Sequence, residues 1–210
     1  MLFKDREDAG RQLAQLLSHY KDKDVIVYAL PRGGVVVAAE IAKALHAPLD
    51  ILLAHKIGHP FHPEYAVAAV SESGQLVESS RELLDKRWLE QAKLREMAEI
   101  VRKRKAYMGG KPSLSPEGKI ALLVDDGIAT GLTLFAAIKE IKTQHPKEIV
   151  IAVPVAPKDT ADLIQKQVDH VIGIAIDEDF LGAVGAYYRD FSQTEDEEVI
   201  ALLKAQKEKP

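Results

Sequence analysis

The chain has 210 residues, 47% of them hydrophobic and 29% charged, with a formal net charge of -4. That is an ordinary globular composition with enough length for one sizeable core, and its balance gives no bulk attraction to nucleic acid. It contains no cysteine, which excludes disulfides, thiolate nucleophiles and thiolate metal sites. The opening MLFKDREDAGRQL turns charged at once, and no apolar run reaches membrane-spanning length, so no signal peptide or membrane contact is expected and a cytoplasmic location is.

In chain order, 5–20 predicts a helix, capped by Asp5, with Ala9, Leu13, Leu16, Leu17 and Tyr20 at helical spacing. DVIVYAL reads as a buried strand, broken by PRGG, and VVVAAEIAKALHA as a helix stopped before Pro48. LDILLAHKI is a second strand and AVAAVSES a third. A long helix is expected up to Met108, with Ser79 and Glu82 as a capping box at its start and Gly109 and Gly110 ending it. A strand (GKIALLVDD), a helix (TLFAAIKEIKTQH), a strand (EIVIAVPVA), a helix (KDTADLIQKQ) and a strand (HVIGIAI) follow. Thr194, with Glu197 three residues on, opens a final helix. Strands alternating with helices imply an α/β fold, a mostly parallel sheet with helices on both faces. Ligands of such sheets sit at the carboxyl ends of strands. PRGG and DDGIATGLT both lie there.

Asp125 and Asp126 stand side by side at the mouth of a buried strand. Unpaired, they repel each other and resist burial, so a partner outside the chain is expected to use them. Adjacent carboxylates can accept hydrogen bonds from neighbouring hydroxyls, as on a ribose. The following GIATGLT leads into a helix, and its N–H groups with the helix N-terminus make an anion site to which Thr130 and Thr133 add hydroxyls. Together these describe a pocket for a ribose 5-phosphate. The competing reading is a solvated acidic pair that caps the next helix. A receiver-type phosphoacceptor fits less well, because its aspartate is not followed by a phosphate-binding turn.

LLVDDGIATGLT resembles the phosphoribosyl-pyrophosphate motif of type I phosphoribosyltransferases: an apolar strand, two acids, two variable residues, Ala-Thr-Gly and a closing Thr. The resemblance implies that Asp125 and Asp126 hold the ribose hydroxyls. It also implies that Gly127, Ala129, Thr130, Gly131, Leu132 and Thr133 surround the 5-phosphate. Leu132 departs from the pattern, since many members have a second glycine there; the turn tolerates it only with a negative φ, which makes Leu132 the expected place for strain. Ala129 stands where relatives that act on 6-oxopurines usually have an aspartate, which argues against hypoxanthine or guanine as acceptor.

ALPRGGVVVAAEIAKAL is similar to the pyrophosphate loop of the same family. A guanidinium and close backbone N–H groups suit a diphosphate, so Arg32, Gly33 and Gly34 are its expected ligands. The family likeness also implies a non-proline cis peptide near Arg32–Gly33. The alternative is a tight turn that uses its glycines for geometry alone. Lys56, at the end of the next strand, either meets phosphate oxygens or is solvated. His55, His59 and His62, with Glu64, suggest a metal cluster, but Gly58, Pro60 and Pro63 forbid the zinc-helix geometry. The glycine and prolines suggest a loop, the counterpart of the family's mobile catalytic loop.

Phe180, Tyr187, Tyr188 and Phe191 concentrate rings near the C-terminus, and flat rings either stack on a nucleobase or fill a core. By resemblance to purine-type members, Phe180 is the first choice for the stacking ring, with Tyr187 beside it. Lys158 is the candidate reader of a base carbonyl; a solvated first-turn lysine is the alternative. The basic RKRK at the end of the long helix is read as a solvated helix terminus.

The likeness therefore implies one phosphoribosyltransferase-like domain over 1–210, with a long helical insertion at 80–108 and a hood or C-terminal segment at 177–210. The implied reaction moves the 5-phosphoribosyl group from phosphoribosyl pyrophosphate to a ring nitrogen of a base, releasing pyrophosphate. Asp125, Asp126 and Arg32 are the catalytic candidates. Mg2+ is the implied cofactor, held through the substrate and by Asp125 and Asp126. Relatives are often homodimers. The rival reading is a non-catalytic sensor of phosphoribosyl pyrophosphate or a nucleotide with the same fold.

Overall fold

A computed structural model describes residues 2–79 and 85–207. In chain order its elements are α1 (Arg6–Leu16), β1 (Val25–Ala29), α2 (Gly33–Leu45), β2 (Leu49–Ile51), β3 (Ala54–His59), β4 (His62–Ser71), β5 (Leu76–Glu78), α3 (Lys86–Met108), β6 (Ile120–Val124), α4 (Leu132–Lys142), β7 (Glu148–Pro157), α5 (Lys158–Gln165), β8 (His170–Asp177) and α6 (Asp196–Lys207). The chain divides into two compact units. One comprises 1–52, 112–130 and 144–210, the other 53–111 and 131–143. No helix among the described residues is long and apolar enough to cross a membrane.

The first unit is the expected α/β layer structure. Its five-stranded sheet has the order β2-β1-β6-β7-β8, every pair is parallel, and helices flank it. All five residues of β1 and of β6 are buried, which is why both read as unbroken apolar runs. Ala29 lies level with Val124, and Leu30 N–H donates to the Val124 carbonyl at 2.9 Å. PRGG and the acidic loop therefore leave neighbouring strands at the same height. Asp5 caps α1 as expected, accepting from Asp8 N–H at 2.7 Å. The segment before α1 pairs with the C-terminal part of the unit: Phe3 N–H reaches the Tyr187 carbonyl, and Arg189 and Asp190 N–H groups reach the Phe3 and Lys4 carbonyls.

The second unit holds the antiparallel sheet β3-β4-β5 with α3 and α4. Here the structure departs from expectation. LDILLAHKI is not one strand but two, β2 in the parallel sheet and β3 in the antiparallel one. An apolar run carries no mark of a change of sheet. The loop expected after Lys56 is instead the β3–β4 hairpin, closed around Pro60 and Phe61 by the His59–His62 pair. Register shifts flank Gly58, where a Cβ would lie 2.2 Å from the Pro63 carbonyl oxygen. Gly58 thus makes a bulge against Pro63, and β5 pairs only with Ala68–Val70, so Pro63 interrupts no second ladder.

β5 is an element the sequence reading misses. α3 begins at Lys86, with Asp85 accepting from Trp88 N–H, and ends at Gly109 in the left-handed conformation, as expected. Glu82 of the expected capping box lies outside the described residues. α2 begins at Gly33, before the predicted Val35, and α6 at Asp196. Inside the second unit, buried Glu140 of α4 accepts from Ser71 Oγ at 2.6 Å and from Ser73 N–H at 3.0 Å.

Candidate functional site

β6 delivers Asp125 and Asp126 to the end of the parallel sheet, and β1 delivers Arg32, Gly33 and Gly34 beside them. The peptide joining Pro31 to Arg32 is cis, one bond earlier than the expected Arg32–Gly33. The two segments touch so closely that side chains are excluded. A Cβ on Gly33 would lie 1.9 Å from Asp126 Oδ2, and one on Gly34 would lie 2.9 Å from the Val124 carbonyl oxygen. These glycines are required by close approach rather than by positive φ. Arg32 is the residue before α2, and its Nη1 stands 3.5 Å from Asp196 Oδ1.

The two acids are treated differently. Asp126 Oδ2 accepts from Arg6 Nε at 2.7 Å, so its cation comes from within the chain, from the first turn of α1 and 120 residues away. One of the two acids thus already has a cation within the chain, which the sequence does not signal. Arg6 also donates from Nη1 to the Ser192 carbonyl at 2.7 Å and lies over the Phe191 ring at 3.8 Å. Tyr188 Oη donates to the Asp126 backbone carbonyl at 2.6 Å. Asp125 Oδ1 accepts from Asp126 N–H at 2.8 Å. Burial, and then the charge of Asp126, push the Asp125 carboxyl well above the usual carboxylate range; the Asp126 N–H and Arg6 oppose this. Arg6, Tyr188 and Phe191 are thus members of the site's frame. For Arg6 no spacing could have signalled it.

Beyond the acids, Gly127 is pressed against Val184 and Val155, where a Cβ would meet Val184 Cγ1 at 2.4 Å. Ile128 is buried, with its N–H on the Val155 carbonyl, while Ala129 and Thr130 are exposed. Thr160 Oγ1 of α5 reaches the Ala129 carbonyl at 3.3 Å. Gly131, the residue before α4, has φ of 75°. Leu132 is the first helical residue and is absent from the positive-φ set, so the left-handed conformation falls on the glycine and the strain expected at Leu132 does not arise. Thr133 follows in the same turn, half-buried. Neither α2 nor α4 has a side-chain cap or an acid in its own first turn, although the leading glycines of α2 lie against the Asp125 and Asp126 carboxylates.

The other candidates are placed less suggestively. Lys56 is exposed on β3 of the second unit. In that unit His59 and His62 stack at 5.6 Å, and His55 Nδ1 lies 3.0 Å from Glu96 Oε2. Lys158, the first residue of α5, is bonded to Asp162 at 2.6 Å. Phe180 is half-buried and stacks on Tyr187 with ring centres 5.6 Å apart. Tyr187 is buried; its hydroxyl donates to Asp177 Oδ2 at 2.7 Å and accepts from Leu181 N–H at 3.1 Å. The structure therefore brings together Arg32, Gly33, Gly34, Asp125 and Asp126, and places Tyr187 in the packing beneath the C-terminal segment.

Among the described residues no group of three or more His, Asp or Glu side chains could hold a metal by itself. Two adjacent carboxylates do suit Mg2+, a hard cation that commonly takes one or two protein carboxylates and completes its shell with water and substrate phosphate oxygens.

A family model described as phosphoribosyl transferase domain matches residues 4–190. Two curated proteins from two strains of Mycobacterium tuberculosis are each provisionally named a phosphoribosyl transferase. Each is 42% identical over 206 residues, which cover 96% of this chain and 46% of the relative. The chain thus spans about half the length of the curated relatives it matches. A solved structure of a Thermus thermophilus protein is 38% identical, with a TM-score of 0.82, over 98% of this chain and 99% of that one.

Proposed function

Because the chain belongs to the phosphoribosyl transferase family, we propose that it moves the 5-phosphoribosyl group of phosphoribosyl pyrophosphate to a ring nitrogen of a nucleobase, releasing pyrophosphate. The observation that carries this reading is the contact of the two motifs at the sheet end. Gly33 has room only because it lacks a side chain, and what fills that room is the Asp126 carboxylate with its Arg6 partner.

In this reading Asp125 and Asp126 accept from the ribose hydroxyls. The segment Gly127–Thr133, with Ala129, Thr130, Gly131 and Leu132, offers N–H and hydroxyl donors to the 5-phosphate. Arg32 and the N–H groups of Gly33 and Gly34 take the diphosphate. Departure of pyrophosphate leaves positive charge on the sugar and negative charge on the diphosphate. The acids lie near the first, and Arg32 stabilises the second. Mg2+ would be held by Asp125 and Asp126 and would supply charge neutralisation of the diphosphate. Phe180 and Lys158 are the proposed acceptor-side residues. Tyr187 acts there through its stack on Phe180.

Incubation with phosphoribosyl pyrophosphate, Mg2+ and a panel of purine and pyrimidine bases tests the proposal. Pyrophosphate release dependent on one of the bases is the expected result. Binding of phosphoribosyl pyrophosphate with no release for any acceptor would replace the transferase by the sensor reading. From the Ala129 position, hypoxanthine and guanine are expected to be poor acceptors.

A further inference from the structure

We propose that Arg6 is a positioning residue that aims the Asp126 carboxylate at its ligand, an inference that rests on the reading of Asp126 as a ribose acceptor. Three features support it. First, the guanidinium is held at three points: Nε on Asp126 Oδ2, Nη1 on the Ser192 carbonyl, and its face on Phe191. Its side chain is 11% exposed, so the pair is far drier than a surface ion pair. Second, Arg6 is delivered by structure on both sides. Backbone bonds tie Phe3 and Lys4 to Tyr187, Arg189 and Asp190, and the Asp5 cap starts α1 immediately before Arg6. Third, Asp126 is gripped at two points, its carboxylate by Arg6 and its carbonyl by Tyr188.

A carboxylate has two acceptor oxygens. With one site on Oδ2 taken by Arg6, Oδ1 is the less engaged acceptor for a ligand hydroxyl. The Arg6 guanidinium is itself fixed, because Nε and Nη1 are held by partners on different segments, and it therefore offers Oδ2 a donor in a set position. The room needed for this arrangement is the missing side chain of Gly33, whose Cβ would lie 2.7 Å from Arg6 Nε. The pyrophosphate loop, the acidic pair and the C-terminal segment are thus joined at one guanidinium.

The test is titration with phosphoribosyl pyrophosphate and Mg2+ for wild type, Arg6→Gln, Arg6→Lys, Asp126→Asn and the double variant Arg6→Gln/Asp126→Asn. Arg11→Gln removes the same charge from α1 at an exposed position and serves as the control. Thermal denaturation checks that each variant is folded. Arg6→Gln is expected to weaken binding at least tenfold and Arg6→Lys at least threefold, because an ammonium cannot reach Asp126 and Ser192 in the fork geometry. The double variant should bind within twofold of Asp126→Asn, and Arg11→Gln within twofold of wild type. Losses that add in the double variant would reduce Arg6 to packing and overturn the proposal. Wild-type affinity in whichever Arg6 variant folds would do the same while leaving the transferase reading intact. Failure of the wild type to bind would remove that reading and this inference with it.

Discussion

The loop after β6 and the aromatic segment 177–191 both carry the residue types that signal chemistry, and they are built in opposite ways. At the loop, two like charges are kept adjacent, one cation answers one of them, and the neighbouring backbone is stripped of side chains to make room. In the aromatic segment, the polar atoms are spent internally: Tyr187 bonds Asp177 and Leu181, Tyr188 bonds the Asp126 carbonyl, and the rings pack on one another. The first arrangement leaves an electrostatic deficit that a ligand can fill. The second leaves little to fill, so its rings contribute mostly by holding the first in place. Residue type flags a region; the neighbour of each polar atom decides whether it is available.

The largest expected effect comes from filling the space at the first region. Gly33→Ala sets a Cβ against Asp126 Oδ2 and Arg6 Nε. Overpacking of this kind costs about 1–3 kcal/mol of stability. Displacement of the pair should also weaken phosphoribosyl-pyrophosphate binding on the order of a hundredfold, the equivalent of two charge-assisted hydrogen bonds. Thermal denaturation and a binding titration measure the two losses. An alanine variant with wild-type affinity would mean that the contact is not part of the binding surface.

That contact also marks the limit of what the sequence discloses. The parallel sheet was legible because β1, β6 and β7 are buried runs separated by helical periodicity. PRGG and DDGIATGLT were legible as strand-end loops because a glycine-containing turn that breaks an apolar run marks where a buried strand stops. Arg6 was not legible: it sits in an ordinary amphipathic helix, and only the pairing of residues 3–4 with 187–190 carries it to Asp126. The β3–β4 hairpin was misread because Gly58, Pro60 and Pro63 are breakers in isolation, whereas a bulge and a one-sided ladder accommodate them. Whether Tyr187 fills a core or meets a ligand directly was not legible, because its burial and its bonds to Asp177 and Leu181 exist only in the fold.

Asp125 gives a test with a defined sign. Its folded-state carboxyl titrates above the usual range, so the folded protein holds that proton to higher pH than the unfolded chain does. The stability this provides is complete below the unfolded value of about 3.9 and is lost as pH rises through the raised folded value. At neutral pH a carboxyl at Asp125 is therefore a cost to folding relative to that limit. Asp125→Asn should melt above wild type at pH 7, with the gap closing as pH falls. The same variant should lose about tenfold in phosphoribosyl-pyrophosphate affinity, the loss of one charge-assisted bond. A constant gap across pH would show that the carboxyl titrates normally.

The aromatic segment predicts the reverse pattern, stability without affinity. Tyr187→Phe removes a buried hydroxyl that serves both Asp177 and Leu181. Leaving those groups unserved should cost about 1–3 kcal/mol, read as a lower melting temperature. The ring and its stack on Phe180 remain, so binding of phosphoribosyl pyrophosphate should stay within twofold. A fall in affinity with unchanged melting would erase the distinction between the two regions.

Lys158 carries the smallest effect and sharpens the acceptor side. Its ammonium is paired with Asp162 one helical turn on, and both side chains are substantially exposed. Exposed pairs at this spacing contribute about 0.3–0.5 kcal/mol, so Lys158→Ala should hardly move the melting temperature. α5 nevertheless touches the acidic loop, through Thr160 on the Ala129 carbonyl. If the ammonium exchanges Asp162 for a base carbonyl, the variant should raise KM for the acceptor and leave KM for phosphoribosyl pyrophosphate unchanged. Equal acceptor KM in wild type and variant would assign Lys158 to its salt bridge alone and leave recognition of the base to other groups.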